Sequence, residues 1–191
     1  DAFIAFGHDA VSCDLLPTER PGPHYQGDIF DIIDQGWDLM IAHPPCTHLS
    51  VSGARWFSEG KKDPQLREDA LDFVRKLMDA PIPRIAIENQ VSVISGQIRK
   101  SDQLIHPWQF GHPEEKRTCL WLKNLDKLQP THIVYDEMMQ RPKKERHRIW
   151  SMPPSADRGK LRSLSYAGIA AAMAAQWGGA TQLTLDQIPG C

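Results

Sequence analysis

The residues with the clearest chemistry are the thiol of Cys46, which directly follows Pro44 and Pro45, and the carboxylate and amide of Glu88 and Asn89. A thiol attacks as its thiolate, and free cysteine, with a pKa of about 8.5, is mostly protonated at neutral pH. A catalytic cysteine therefore needs surroundings that activate it. A carboxyl group fixed at the same site supplies or takes up a proton as charge develops. His43 and His48 flank the thiol and raise two further options, a Cys–His pair or a metal site. No second cluster of ligands has zinc spacing, so no metal is expected. Cys13, Cys119 and Cys191 read as structural or incidental.

Both groups sit where strands should end. Leu39–Ala42 is a short apolar run with the length of a buried strand. The prolines after it cannot continue a central strand, because they lack the N–H that the ladder needs. Residues 84–89 form a second apolar run that ends in Glu88 and Asn89. Between them, Leu66, Ala70, Phe73, Val74 and Leu77 have the spacing of an amphipathic helix over residues 65–80, which Pro81 and Pro83 terminate. Strand, helix, strand in this order predicts an α/β fold built on a mostly parallel sheet, and ligands of such sheets bind beyond the carboxyl ends of the strands.

The rest of the chain supplies smaller elements. Residues 1–7 resemble the end of a helix closed by Gly7. Residues 10–14 read as a strand ending in Asp14, residues 15–27 as a loop, and residues 29–33 as a short helix capped by Asp28. The polar stretch 47–64 carries Arg55, Trp56 and Phe57, and reads as a loop covering the site. Residues 108–111 and 117–122 look like antiparallel hairpin strands around a turn at 112–116. Residues 124–154 look irregular and without a core, whereas 165–177 form an alanine-rich helix stopped by Gly178 and Gly179. The domain expectation is a main domain of residues 1–124 with 163–179 and a small basic insertion at 125–162.

The chain has 191 residues, a formal net charge of −2 and average apolar and charged fractions. Near neutrality excludes any global electrostatic argument for nucleic acid. Positive charge is local, at Arg141, Lys143, Lys144, Arg146 and Arg148. The four cysteines have no paired spacing and argue for reduced thiols and a cytoplasmic location. No stretch is long and apolar enough to span a bilayer, so no membrane partner is expected.

A Pro-Pro-Cys turn after one strand and an Ile-Glu-Asn end on the next resembles the DNA cytosine-5 methyltransferase family, most closely its short phage and prophage members. The stretch from Phe110 through Gly111, Pro113 and Arg117 to Trp121 is similar to that family's next motif, and the helix at 166–177 to its last. The resemblance implies a Rossmann-like methyltransferase domain using S-adenosylmethionine on DNA. It implies that Cys46 adds to carbon 6 of cytosine while Glu88 bonds ring nitrogen 3 and the exocyclic amine. Asn89 would position the loop, and Lys116 and Thr118 stand where the family has paired arginines. Asp14 matches the residue that holds the cofactor ribose, Asp28 and Ile29 the pair that holds adenine, and Pro45 flanks the cofactor. Arg55 and the cations at 141–148 would meet DNA phosphates. The family's glycine-rich cofactor loop would precede Asp1. Two rivals remain: a cytosine-nucleotide enzyme of the thymidylate-synthase kind, which also places its thiol after proline, and a non-catalytic nucleic-acid-binding relative.

Overall fold

The computed structural model describes residues 1–53, 56, 57, 59–155 and 158–179. Its contacts divide the chain into two compact units, one of residues 33–106 with 115–127 and the other of residues 1–32, 107–114 and 128 onward. The division differs from the expected boundary at residue 124.

The first of these units is built on a four-stranded mixed sheet in the order β3-β4-β6-β5, with β3 at Leu39–Ala42, β4 at Arg84–Gln90, β5 at Gln103–Ile105 and β6 at Thr118–Lys123. β3 runs parallel to β4, whereas β6 is antiparallel to both β4 and β5. The chain is thus a mixed α/β protein. β4 has neighbours on both sides and buries Ile85, Ala86 and Ile87 in succession, which is why it reads as an uninterrupted apolar run rather than an alternating one.

Helix α2, Gln65–Met78, joins the parallel pair. The Asp63 side chain accepts the Gln65 N–H at 2.9 Å and so satisfies an orphan donor at its start. Leu71, Val74 and Leu77 are its buried stripe. Leu66, expected on that stripe, faces water, because the apolar arc begins a turn later than the sequence spacing suggests.

The antiparallel pair forms with a different first strand from the one expected. β6 falls where predicted, but it pairs with Gln103–Ile105, and Pro107–Gln109 instead makes a 3-10 turn. Proline presets the backbone for a turn and has no N–H for a ladder. One network locks the observed pairing: Asp102 Oδ2 accepts both Leu122 N–H and Arg99 Nη1 at 2.7 Å, while Trp121 Nε1 donates to the Arg99 carbonyl at 2.8 Å. Burial opposes ionisation of Asp102, but these donors outweigh it and hold its carboxyl below the usual range.

The second unit begins with helix α1, Ala2–Ala5. Gly7, at φ 82°, closes it, with Gly7 N–H donating to the Ile4 carbonyl and His8 N–H to the Phe3 carbonyl. β1, Ser12–Asp14, pairs in parallel with β2, His24–Gln26, inside the stretch expected to be loop. Asp28 caps the 3-10 turn Ile29–Asp31 as expected. Residues 124–154 also hold more order than their composition suggests. Helices at Tyr135–Gln140, Lys143–Arg146 and Arg148–Ser151 bury Met138 and Ile149. The alanine-rich helix, Ala167–Trp177, packs against α1 and is entered by a close approach at Gly168, whose N–H donates to His112 Nε2 at 2.9 Å.

Candidate active site

The site residues in the first unit follow from strand register. Ala42 pairs with Ile87, so the next residues along the two parallel strands, His43 and Glu88, stand side by side. His43 Nδ1 lies 3.0 Å from Glu88 Oε2. The prolines end β3 and turn the chain, leaving Pro44 buried and Pro45 and Cys46 exposed. The Cys46 carbonyl accepts from Leu49 N–H and Ser50 N–H, which coils the loop immediately after the thiol.

Three links hold this loop to the end of β4. Asn89, 4% exposed, donates from Nδ2 to the Pro44 carbonyl at 2.9 Å. Val93 N–H donates to the Leu49 carbonyl at 2.9 Å, and Ser50 forms a bridge with Ser92. The cysteine loop and the glutamate strand end are therefore fixed to each other by main-chain and amide bonds. Asn89 thereby ties the thiol loop to the end of β4.

Electrostatics follow the same pairing. Burial pushes the His43 imidazole toward neutrality, but the hydrogen bond and charge of Glu88 outweigh it and leave its pKa raised. For Glu88, burial favours the neutral acid, but His43, by hydrogen bond and by charge, and then Lys116 hold the carboxyl below its ordinary range. Glu88 is 16% exposed and the His43 side chain 49%, so the ion pair is partly screened by water. Lys116 thus contributes positive charge beside Glu88. Thr118 is buried on β6, opposite Gln90 in register, and belongs to the sheet interior.

Two lysines of the loop after Cys46 and Arg67 in the first turn of α2 are cations that the sequence reading passes over. Arg67 lies 3.9 Å above the Phe57 ring, Lys62 lies 5.6 Å from the same ring, and Lys61 lies 4.8 Å from the Trp56 ring. The aromatic pair expected to cover the site is thus faced by positive charge. Arg55 lies outside the described residues.

The residues expected at the cofactor divide between the units. In the second unit, Gly27 N–H donates to the Asp14 carbonyl at 3.0 Å, which joins the ends of the parallel pair β1 and β2. Asp14 Oδ1 accepts Leu16 N–H, and Asp28 Oδ1 accepts Phe30 N–H. Each carboxylate spends one oxygen on its own turn and keeps a second acceptor. Burial, followed by the charges of Asp14, Asp28 and Asp31, pushes the Cys13 thiol up. Asp14 ends β1 and Asp28 follows the end of β2 by two residues, so both lie at the carboxyl side of this parallel pair. Ile29 opens the 3-10 turn beside Asp28. Pro45 belongs to the first unit.

The basic segment is partly committed internally. Arg148 Nε donates to Glu114 Oε1 at 2.9 Å, while Tyr166 Oη donates to Glu114 Oε2 at 2.7 Å. Burial and this hydrogen bond keep the Tyr166 hydroxyl protonated. Arg141 pairs with Glu137, and Arg146 Nη1 contacts Met139 Sδ. Lys143 and Lys144 are exposed, and Trp150, on the following short helix, is 73% exposed. Arg141 and Arg148 thus carry ion pairs within this unit, whereas Lys143 and Lys144 face solvent.

The sequence reading identifies the thiol, the glutamate and the amide, but not the partnership of His43 with Glu88. The only available signal was that His43 directly follows a strand parallel to the one ending at Glu88. Among the described residues, no group of three or more His, Cys, Asp or Glu side chains is arranged to hold a metal ion, and no helix is long and apolar enough to cross a membrane. Compared with known proteins, the chain matches no family profile, no curated protein and no solved structure.

Proposed function

We propose that this chain transfers a methyl group from S-adenosylmethionine to carbon 5 of cytosine in DNA, through a transient adduct of Cys46 at carbon 6. The observation that carries the reading is the clamp of Asn89 on the Pro44 carbonyl, which fixes a thiol loop and a glutamate at neighbouring ends of parallel strands. Carbon 5 of cytosine is a poor nucleophile until carbon 6 is attacked. As the Sγ–C6 bond forms, the C5=C6 pair moves to C4=C5 and the C4=N3 pair moves to nitrogen 3. Nitrogen 3 takes a proton from Glu88, whose second oxygen accepts from the exocyclic amine. Lys116 offsets negative charge around Glu88.

S-adenosylmethionine supplies carbon 5 with an electrophilic methyl group. Asp14, Asp28 and Ile29 are the residues that would hold its adenosine. Loss of the proton from carbon 5 to solvent then re-forms C5=C6 and expels Cys46 as its thiolate, and nitrogen 3 gives its proton back to Glu88 as C4=N3 re-forms. In a duplex, the cytosine must leave the stack for the thiol to reach carbon 6. Within the first unit, Lys62, whose Nζ donates to the Thr47 carbonyl in the loop after the thiol, suits contact to phosphate; in the second unit, the exposed Lys143 and Lys144 are of the same type.

The test uses the full chain with radiolabelled S-adenosylmethionine and either duplex DNA or dCMP. Label in DNA supports the proposal, and label in dCMP alone moves the reading to a nucleotide enzyme. An oligonucleotide containing 5-fluorocytosine should trap a covalent adduct that Cys46→Ser abolishes. An undiminished adduct in that variant would identify another nucleophile.

A further inference from the structure

The proposed reaction asks Glu88 to supply a proton to nitrogen 3 near neutral pH. An isolated glutamic acid, with a pKa of about 4.3, is protonated in well under about 1% of molecules at pH 7. A carboxylate in this position needs a proton source. Parallel register puts one beside it, since His43 is the residue after Ala42 and Glu88 is the residue after Ile87.

We infer that His43 is a positioning residue that stores the proton Glu88 delivers, the two forming a relay from His43 Nδ1 through Glu88 to the ring nitrogen of the substrate. This rests on the reading of the site given above. The geometry is direct: Nδ1 lies 3.0 Å from Oε2, at the end of a strand whose next residue is the buried Pro44. The charged groups facing the imidazole are Glu88 on β4 and Lys116 from the segment before β6. Glu88 favours the protonated ring and Lys116 opposes it. The balance leaves the imidazole readier to hold its proton than a free histidine. The half-exposed ring can exchange protons with solvent between turnovers.

The protons balance. At rest the pair carries one transferable proton, on His43 Nδ1. As Cys46 adds to carbon 6, Glu88 takes that proton and passes it to nitrogen 3, leaving a neutral imidazole beside a carboxylate. When Cys46 leaves, nitrogen 3 returns its proton along the same path and the imidazolium–carboxylate pair is restored. No oxidant or second reactant is required.

Addition can be measured without methyl transfer, because a cytosine activated at carbon 5 exchanges its carbon 5 hydrogen with water. The full chain, a duplex oligonucleotide tritiated at cytosine carbon 5 and no methyl donor give tritium release as a function of pH. The wild type should release tritium across neutral pH, with an alkaline limb that coincides with the His43 imidazole titration followed by NMR. His43→Gln keeps a hydrogen-bond donor but stores no proton. It should slow release about tenfold near neutral pH and move the alkaline limb acidward by about one pH unit or more. Its Cys46 alkylation rate with iodoacetamide should stay within about twofold of wild type, since the loop is held by Asn89.

A variant within about twofold of wild type at every pH, or one slowed by the same factor at every pH, overturns the relay while leaving the methyltransferase reading intact. Wild type that releases no tritium and transfers no label overturns both. Should His43→Gln fail to fold, a wild-type alkaline limb displaced from the His43 titration refutes the relay by itself.

Discussion

Asn89→Ala is the perturbation that most directly tests how the sheet holds the thiol. Asn89 is 4% exposed, and its Nδ2 donates to the buried carbonyl of Pro44 at 2.9 Å. Its Oδ1 is buried without a hydrogen-bond partner, so the amide acts as a donor only. Alanine leaves the Pro44 carbonyl unsatisfied, at about 1–3 kcal/mol, and removal of the unpaired Oδ1 offsets the small cavity, so a total of about 1–3 kcal/mol is expected. Asn89→Asp has nearly the same shape but sets an acceptor against an acceptor. Its carboxyl can keep the bond only while protonated, so its folded pKa must rise above the unfolded value of about 3.9. Stability from that bond is full below about pH 4 and is lost as pH rises through the folded pKa. Urea unfolding at about pH 5 and pH 8 should show Asn89→Asp better tolerated at the lower pH, and worse than alanine at the higher. Alkylation of Cys46 should change several-fold in both variants, because the loop loses its anchor. The reasoning fails if alanine costs less than about 0.5 kcal/mol, or if aspartate and alanine are equivalent at both pH values.

Two further outcomes follow from the same structure. The His43–Glu88 pair should stabilise the fold over a defined pH window: the raised His43 pKa gives stability that is full below about pH 6.5 and lost as pH rises through the folded value, while the lowered Glu88 pKa gives stability present above about pH 4.3 and lost as pH falls through its folded value. With half the His43 side chain in water, about 1 kcal/mol is expected at most. The urea-midpoint difference between wild type and His43→Gln should be largest at about pH 5–6.5 and shrink above about pH 8, and a pH-independent difference would count against the pair. Gly168→Ala should destabilise by about 1–3 kcal/mol, although alanine usually favours a helix, because a Cβ there would lie 1.9 Å from the Phe110 carbonyl oxygen. Gly159→Ala, whose Cβ would meet nothing within 4 Å, is the matched control and should be neutral or stabilising in thermal melts.

Local signals made much of the fold legible. The Pro44-Pro45 stop, the Asp28 cap, the Gly7 helix end and the alanine-rich helix each depend on residues close in sequence, and each forms as expected. What local signals could not supply were choices between distant partners. The strand at Gln103–Ile105 is short and looks like loop until β6 pairs with it through Asp102 and Arg99. The strand at His24–Gln26 lies in a proline-rich stretch and forms only by pairing with Ser12–Asp14. Arg148 looked like surface charge because its partner, Glu114, is distant in sequence.

The partnership of His43 and Glu88 was illegible for the same reason, in a sharper form. In a sheet with one wet face, alternation fixes register, because a slip of one residue would turn the apolar side chains outward. β4 offers no such penalty over Ile85, Ala86 and Ile87, since all are buried. Its register against β3 must therefore be set beyond the apolar run, where Asn89 holds the Pro44 carbonyl and Val93 holds that of Leu49. Those bonds align Ala42 with Ile87, and only that alignment brings an imidazole to a carboxylate. Loosening either link should weaken the ion pair even though neither residue touches it. In Asn89→Ala, the His43 imidazole pKa measured by NMR should consequently fall back toward its ordinary value of about 6.5. An unchanged His43 titration in that variant would show that register is fixed by the apolar strands themselves.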